Sequence, residues 1–302
     1  AMASLPYHGP NRSHQDVAPT EVFVRGIFKD KVALVTGGGS GIGRAVCEEL
    51  GVLGAKVSFC GRKEERLSAT AKELAALGIE CHFCVCDIRS MESTQNLIKE
   101  VLQRWGRLDI LVNNAGGQFA AVAEAISPKG FEAVIRNNLV GTWNMIHAAA
   151  TMAMIPNQSG RIVNITANVA RGFPTMVHTG AARAGVENLT KTLAVEWSRF
   201  NIAVNAVAPG VVTSSGTLSN YGDEEFGVTL LESAAKATPM QRTASVKEIA
   251  RAVTCLASDR VMSYMTGHIV YVDGGQSLWG DVFTGPQNRD NVHPTSMSIF
   301  SK

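Results

Sequence analysis

The stretch KVALVTGGGSGIGRAVCEELGVLG, Lys31 to Gly54, runs from an apolar strand through a glycine-rich turn into a helix. Val32 to Val35 are apolar without interruption, as in a strand covered on both faces. From Ile42 to Leu53 the apolar residues return at helical spacing. Between them, Gly37, Gly41 and Gly43 permit a tight turn and a close approach of backbone to a ligand. The helix opening at Ser40, Gly41, Ile42 and Gly43 offers unpaired N–H groups to a pyrophosphate. Strand, turn and helix in this succession form the first unit of a dinucleotide-binding fold.

Outward from this unit the alternation continues. KVSFC (56–60) is a second strand, Glu64 to Leu77 a helix ended by Gly78, CHFCVC (81–86) a third strand, Met91 to Trp105 a helix, and LDILV (108–112) a fourth strand. A longer helix is expected over Phe131 to Met152. RIVNIT (161–166), a helix from His178 to Trp197, IAVNAV (202–207) and HIVYVD (268–273) complete the series. Strands separated by helices imply parallel pairing with right-handed crossovers. The expected class is therefore α/β, a single Rossmann-type doubly wound parallel sheet of seven strands flanked by helices on both faces.

Residues 1–27 are rich in Pro, His, Asn and Ser and read as a flexible tail, 28–282 as the nucleotide-binding domain, and 283–302 as a polar C-terminal tail. Between the sixth strand and the helix near Val246 lies an irregular insertion, about 211–244. It carries Tyr221, Phe226, Val228, Leu230 and Leu231, more apolar than a free linker, and reads as a substrate lid. Ser245 and Glu248 form a capping-box pattern that starts the next helix.

The totals set outer limits. With 302 residues, 45% of them hydrophobic, and a formal net charge of +2, the chain suits a globular domain and suggests no nucleic-acid partner. No window approaches the roughly 18 apolar residues of a membrane span. Six cysteines invite a metal reading. On a strand, however, Cys81 and Cys84 face opposite ways, and no second ligand pair accompanies Cys84 and Cys86. Buried thiols and no metal are expected.

The end of the second strand indicates which dinucleotide is bound. An acid there would hold the ribose hydroxyls of NAD, but FCGRKEER (59–66) places Arg62 and Lys63 at that point. A guanidinium fork suits a 2′-phosphate, so NADP(H) is expected.

TGGGSGIG (36–43), NNAG (113–116), Asn138-Leu-Val-Gly141 and the His178–Trp197 helix, in this order, resemble the short-chain dehydrogenase/reductase family over Lys31 to Leu278. By that resemblance Asp87 and Ile88 contact the adenine. Asn113, Ala115 and Gly116 support the sheet edge and wall the cofactor. Pro209, Gly210, Val212 and Thr213 belong to the segment beside the nicotinamide. The resemblance also implies a homotetramer or homodimer, paired through the helices around Phe131 and Thr179.

Most members of that family reduce carbonyls with a Ser after the fifth strand, a Tyr and, four residues on, a Lys. Here Ala167 or Thr166 stands at the Ser place, Thr179 at the Tyr place and Arg183 at the Lys place. A Thr hydroxyl is too weak an acid to replace a phenol, and Arg stays protonated. Losing general acid catalysis removes about 10²–10⁴-fold in rate, so ordinary carbonyl reduction should be crippled. Reduction of a 2-enoyl thioester escapes this, because hydride goes to C3 and the charge moves to an oxygen that fixed donors can hold.

NNAGGQF (113–119), GFP (172–174), HTGAARAGV (178–186), NLTK (188–191) and NYG (220–222) further resemble peroxisomal trans-2-enoyl-CoA reductases. The wider 2,4-dienoyl-CoA reductases keep a Lys at the Arg183 place and a Tyr shortly upstream, and no Tyr occurs from Asn168 to Gly180. The expected activity is thus NADPH-dependent reduction of a trans-2-enoyl-CoA. The alternatives are 2,4-dienoyl-CoA reduction, an NADP-dependent dehydrogenase of apolar alcohols or carbonyls, and a non-catalytic scaffold. By the resemblance Arg183 holds the nicotinamide ribose, and Asn138 supports a helix kink and a proton-carrying water. Thr179 is the first choice as donor to the enolate and Tyr221 as acid, while His178 reads as structural. Arg171 and Arg242 are candidate contacts for CoA phosphates, with the acyl chain against Phe119 and the lid. The ending Ser301-Lys302 lacks the last Leu of a peroxisomal address, which leaves a peroxisome-like organelle and the cytosol both open.

Overall fold

The computed structural model describes residues 22–214 and 231–278. Its strands are β1 (Val32–Thr36), β2 (Lys56–Gly61), β3 (Cys81–Val85), β4 (Ile110–Asn113), β5 (Gly160–Ile165), β6 (Ile202–Pro209), β7 (Val212–Thr213), β8 (Ala244–Ser245) and β9 (Ile269–Val272). All except β7 and β8 join one sheet in the order β3-β2-β1-β4-β5-β6-β9. Every neighbouring pair in it is parallel, as the alternation of elements requires.

The helices are α1 (Gly41–Val52), α2 (Glu64–Ala76), α3 (Met91–Trp105), α4 (Pro128–Ile135), α5 (Gly141–Ala149), α6 (Val177–Trp197) and α7 (Val246–Ala257). Val46 and Leu50 of α1, Leu67 and Leu74 of α2, and Ile249 and Val253 of α7 pack on one face of the sheet, around Val35, Val57 and Phe59. Leu97 and Ile98 of α3, Met145 and Ile146 of α5, and Leu193 and Trp197 of α6 pack on the other, around Leu34, Leu111 and Val204. The two-sided cover explains why every residue of β1 and β6 is buried. Cys81 packs with the first cluster and Cys84 and Cys86 with the second, so the alternation expected for that strand holds.

Local chemistry sets the helix ends. Ser90 accepts from the Ser93 amide at the start of α3, and Gly106, at φ 75°, ends it. Both halves of the Ser245–Glu248 capping box form on α7. Phe23 and Ile27 fall within residues 1–27 yet pack against the core, and Phe28 is buried there.

The helix expected over Phe131 to Met152 is longer and less regular than the sequence pattern suggests. It runs from Pro128 to Met154 and is interrupted by two π turns, Arg136–Val140 and Ala150–Met154. Near each turn a threonine hydroxyl bonds a carbonyl four residues back: Thr142 to Asn138 at 2.8 Å and Thr151 to His147 at 2.8 Å. Such back-bonding competes with the regular ladder. The chain pairs β7 with β8 where it leaves and rejoins the 211–244 insertion, a link the sequence pattern did not reveal. Among the described residues no helix is long and apolar enough to cross a membrane.

Candidate active site

The strand order reverses between β1 and β4, and a cleft of about 400 Å³ opens beyond their C-terminal ends. Asn114 locks these ends together: its side-chain amide donates to the Thr36 carbonyl at 3.0 Å. The Asn114 and Ala115 amides donate to the Thr36 hydroxyl at 3.0 and 2.9 Å. Gly37 has φ 68°, and a Cβ there would lie 2.8 Å from Asn114 Nδ2. A Cβ on Gly43 would enter the Gly37 carbonyl, so this glycine serves the packing of turn against helix and does not line the cleft.

The cleft fits a dinucleotide phosphate. Gly37, Ser40, Gly41 and Ile42 line it at the start of α1, and Ser40, the N-cap, makes no side-chain capping bond. The first amides of α1 therefore face open space without the usual cap. Beyond the end of β2 the lining is basic, with Arg62, Lys63 and Arg66, whereas Glu64 and Glu65 stay outside it. Asp87 and Ile88 line the same side. Arg89 clasps the Asp87 carboxylate and, with the field of Arg62, holds its pKa below the ordinary range.

Towards α6 the walls become buried and polar. Gly116 closes against Arg183 and Asn138, both of which a Cβ there would strike. Asn138, fully buried in the first π turn, donates from Nδ2 to the Gly117 carbonyl at 2.8 Å and accepts from the Gly117 amide at 3.1 Å. The widened turn thus aims this side chain at the end of β4. Arg183 donates from Nη1 to the Ile165 carbonyl at 2.8 Å, and burial pushes its pKa down to about 10. It remains a cation at neutral pH.

At the Tyr place Thr179 is fully buried, and its neighbour shares its hydrogen bonds. His178 Nδ1 accepts the Thr179 amide at 2.8 Å and lies 3.3 Å from the Thr179 hydroxyl. The His178 ring meets Phe119 edge to face, with centroids 4.5 Å apart. Burial lowers its pKa, against an opposing pull from the Met176 carbonyl. At the Ser place, Thr166 donates to the Val207 carbonyl at 3.3 Å and Ala167 has no hydroxyl. The usual phenol is absent from this corner among the described residues.

Other expected site residues stand back from the cleft. Asn113 bonds Asn164 at 2.9 Å behind the end of β4. Pro209 ends β6, Gly210 packs against Asp273, and Val212 and Thr213 form β7. Tyr221 lies outside the described residues. Arg242 is bidentate to Glu248 at 3.0 and 2.7 Å, which ties it to the cap of α7. Arg171 lies on the surface. Sequence reading missed Asn114, Arg66 and the role of His178 in holding Thr179. The NNAG motif contained the first of these, but nothing in the sequence reports the burial of the last. It also missed a surface group on the β3 edge, where His82, Cys84 and Glu100 place ligand-type atoms within 4.8 Å of one another. A His82–Glu100 contact of 2.8 Å occupies that group, and burial pushes the Cys84 thiol up to about 12.

Comparison with known proteins settles the family. The model of the enoyl-(acyl carrier protein) reductase family matches residues 37–277. The chain belongs to the short-chain dehydrogenase/reductases. This reductase is 38% identical to a probable 2,4-dienoyl-CoA reductase [(2E)-enoyl-CoA-producing] of Bacillus subtilis, over 83% of its own length and 98% of that protein. Its fold matches the citronellol catabolism dehydrogenase AtuB of Pseudomonas aeruginosa, with a TM-score of 0.75 and 38% identity over 85% and 98% of the two chains. It also matches the actinorhodin polyketide ketoreductase solved with NADPH, with a TM-score of 0.76 and 31% identity over 82% and 98%. The reductase is an NADP(H)-dependent oxidoreductase. The curated relatives correct one expectation: they are named 2,4-dienoyl-CoA reductases, so the lack of a Tyr between Asn168 and Gly180 does not separate this chain from that branch.

Proposed function

We propose that this reductase reduces a conjugated acyl-CoA thioester, with a 2,4-dienoyl-CoA as its preferred substrate. The observation that carries the reading is the corner at α6, where Arg183 and a buried Thr179 replace the carbonyl-reducing pair. A ketone needs a proton on oxygen as hydride arrives, and among the described residues this corner has no phenol to give one. A conjugated thioester does not need it.

NADPH, when bound, supplies the hydride. Arg62, Lys63 and Arg66 are suited to its 2′-phosphate, the start of α1 to its pyrophosphate, and Arg183 to the nicotinamide ribose. On a 2,4-dienoyl thioester, hydride bonds to C5. The two π pairs shift toward C1, and the carbonyl pair comes to rest on the thioester oxygen. The Arg183 cation and neutral donors stabilise that oxygen. A proton from water then bonds to C4 to give a 2-enoyl product, or to C2 to give a 3-enoyl product. The names of the relatives support the dienoyl substrate.

A second reading, reduction of a trans-2-enoyl-CoA with hydride at C3, rests on the motifs HTGAARAGV and NLTK. Following NADPH absorbance with 2,4-hexadienoyl-CoA, trans-2-hexenoyl-CoA and citronellal separates the readings. The dienoyl thioester should turn over fastest. Faster turnover of the mono-unsaturated thioester would favour the second reading, and brisk reduction of the aldehyde alone would overturn both.

A further inference from the structure

We infer that His178 is the neutral donor to the substrate's thioester oxygen, acting through its Nε2–H; this rests on the acyl-CoA reading above. His178 is fully buried, and its Nε2 has no hydrogen-bond partner. Buried polar atoms in folded proteins are nearly always paired, so an orphan one residue from the Tyr place needs an explanation. The other ring nitrogen fixes its chemistry. Nδ1 accepts the Thr179 amide at 2.8 Å, so its lone pair is in use and the neutral ring carries its proton on Nε2. Burial disfavours the imidazolium, which keeps the ring in that form at neutral pH.

Position argues the same way. His178 lies in the first turn of α6, one residue before Thr179 and five before Arg183, whose guanidinium closes on the cleft-lining Gly116. Its ring is held edge-on by Phe119, which follows Gln118, another lining residue. The segment bearing Phe119 is fastened to the approach of α6 by the Ala121 amide donating to the Thr175 carbonyl at 2.8 Å. The imidazole therefore sits between Thr179, at the Tyr place, and the half-exposed Phe119, against which the acyl chain is proposed to lie. Thr179, the first choice from sequence, has its hydroxyl 3.3 Å from His178 Nδ1 and serves to orient the ring. A neutral donor also suits an oxygen that is uncharged in the ground state and gains charge only during hydride transfer.

The test begins with the wild-type holoprotein and ¹⁵N-labelled histidine. Long-range ring correlations should show His178 protonated on Nε2. Adding hexanoyl-CoA, a thioester that cannot be reduced, should move the Nε2–H proton downfield. A ring protonated on Nδ1, or a resonance unmoved at saturation, would overturn the assignment, and an ordered water as the sole partner would give the latter result. His178→Phe should lower kcat for 2,4-hexadienoyl-CoA by about 10²–10³-fold while leaving the NADPH dissociation constant unchanged. His178→Gln, which keeps an acceptor and a donor, should recover part of that loss. If His178→Phe does not fold, the ring titration decides alone. A wild-type protein inert to every acyl-CoA would sink the functional reading instead, a result distinct from normal turnover with an unmoved ring.

Discussion

At the α1 end of the cleft the contacts on offer are backbone amides and exposed cations, whereas at the α6 end they come from side chains sealed from water. Ser40, Gly41 and Arg62 can each adjust to a ligand arriving from solvent. Asn138, His178, Thr179 and Arg183 are each at most 7% exposed and hold one another or nearby carbonyls in place. Polar groups in such a setting act at low effective dielectric and need little reorganisation when charge develops. The contrast separates a binding end from a reacting end, and it makes different substitutions costly at each.

The largest effect should follow Arg183→Met. Loss of the buried cation should depress turnover by about 10²–10³-fold and raise the KM for NADPH, with Arg183→Lys recovering part of both; unaltered kinetics would erase the distinction between the ends. Next in size, Arg62→Ala should weaken NADPH binding by about 1.5–3 kcal/mol and leave NADH binding alone, as read by cofactor fluorescence titration. Gly116→Ala drives a methyl into Arg183 and Asn138 and should lower unfolding stability by about 1–3 kcal/mol together with turnover; a variant matching wild type in both would show the α6 corner to be pliable. The smallest effect is expected at Asp87→Asn, a surface pair whose loss should change stability by less than about 1 kcal/mol. Because Arg89 holds the Asp87 pKa down, that contribution is complete above the ordinary Asp value of about 3.9 and fades as pH falls through the lower folded value. Melting curves of the two proteins should therefore converge in acid.

The same contrast explains what could be read from sequence. The binding end is written in short local signals: a strand, TGGGSGIG and a helix, then Arg62 and Lys63 directly after the next strand. Each depends on neighbours within a few residues, and the sheet of seven parallel strands followed from their repetition. At the reacting end, Thr179 and Arg183 could be read only against a family pattern, and His178 was set aside. Its importance depends on burial, on Phe119 from a different loop and on the tautomer that Thr179 imposes, which are tertiary properties. The narrower likeness rested on short motifs and a missing Tyr, whereas the curated relatives are named 2,4-dienoyl-CoA reductases.

The two π turns that bracket α5 have a consequence for how this chain tolerates insertions and deletions. A helix turns about 100° per residue, so each widened turn behaves as one extra bead threaded into a regular coil. Removing a single residue from Arg136–Val140 would let that segment relax into an ordinary helix. Because the bead is an insertion, the helix on either side would stay in phase: Met145 and Ile146 would keep their places in the core, and the loss would fall on Asn138 and its bonds to Gly117. A one-residue deletion here should therefore spare the packing of α5 and cost only the aimed side chain, whereas the same deletion within Gly141–Ala149 would turn the core face away.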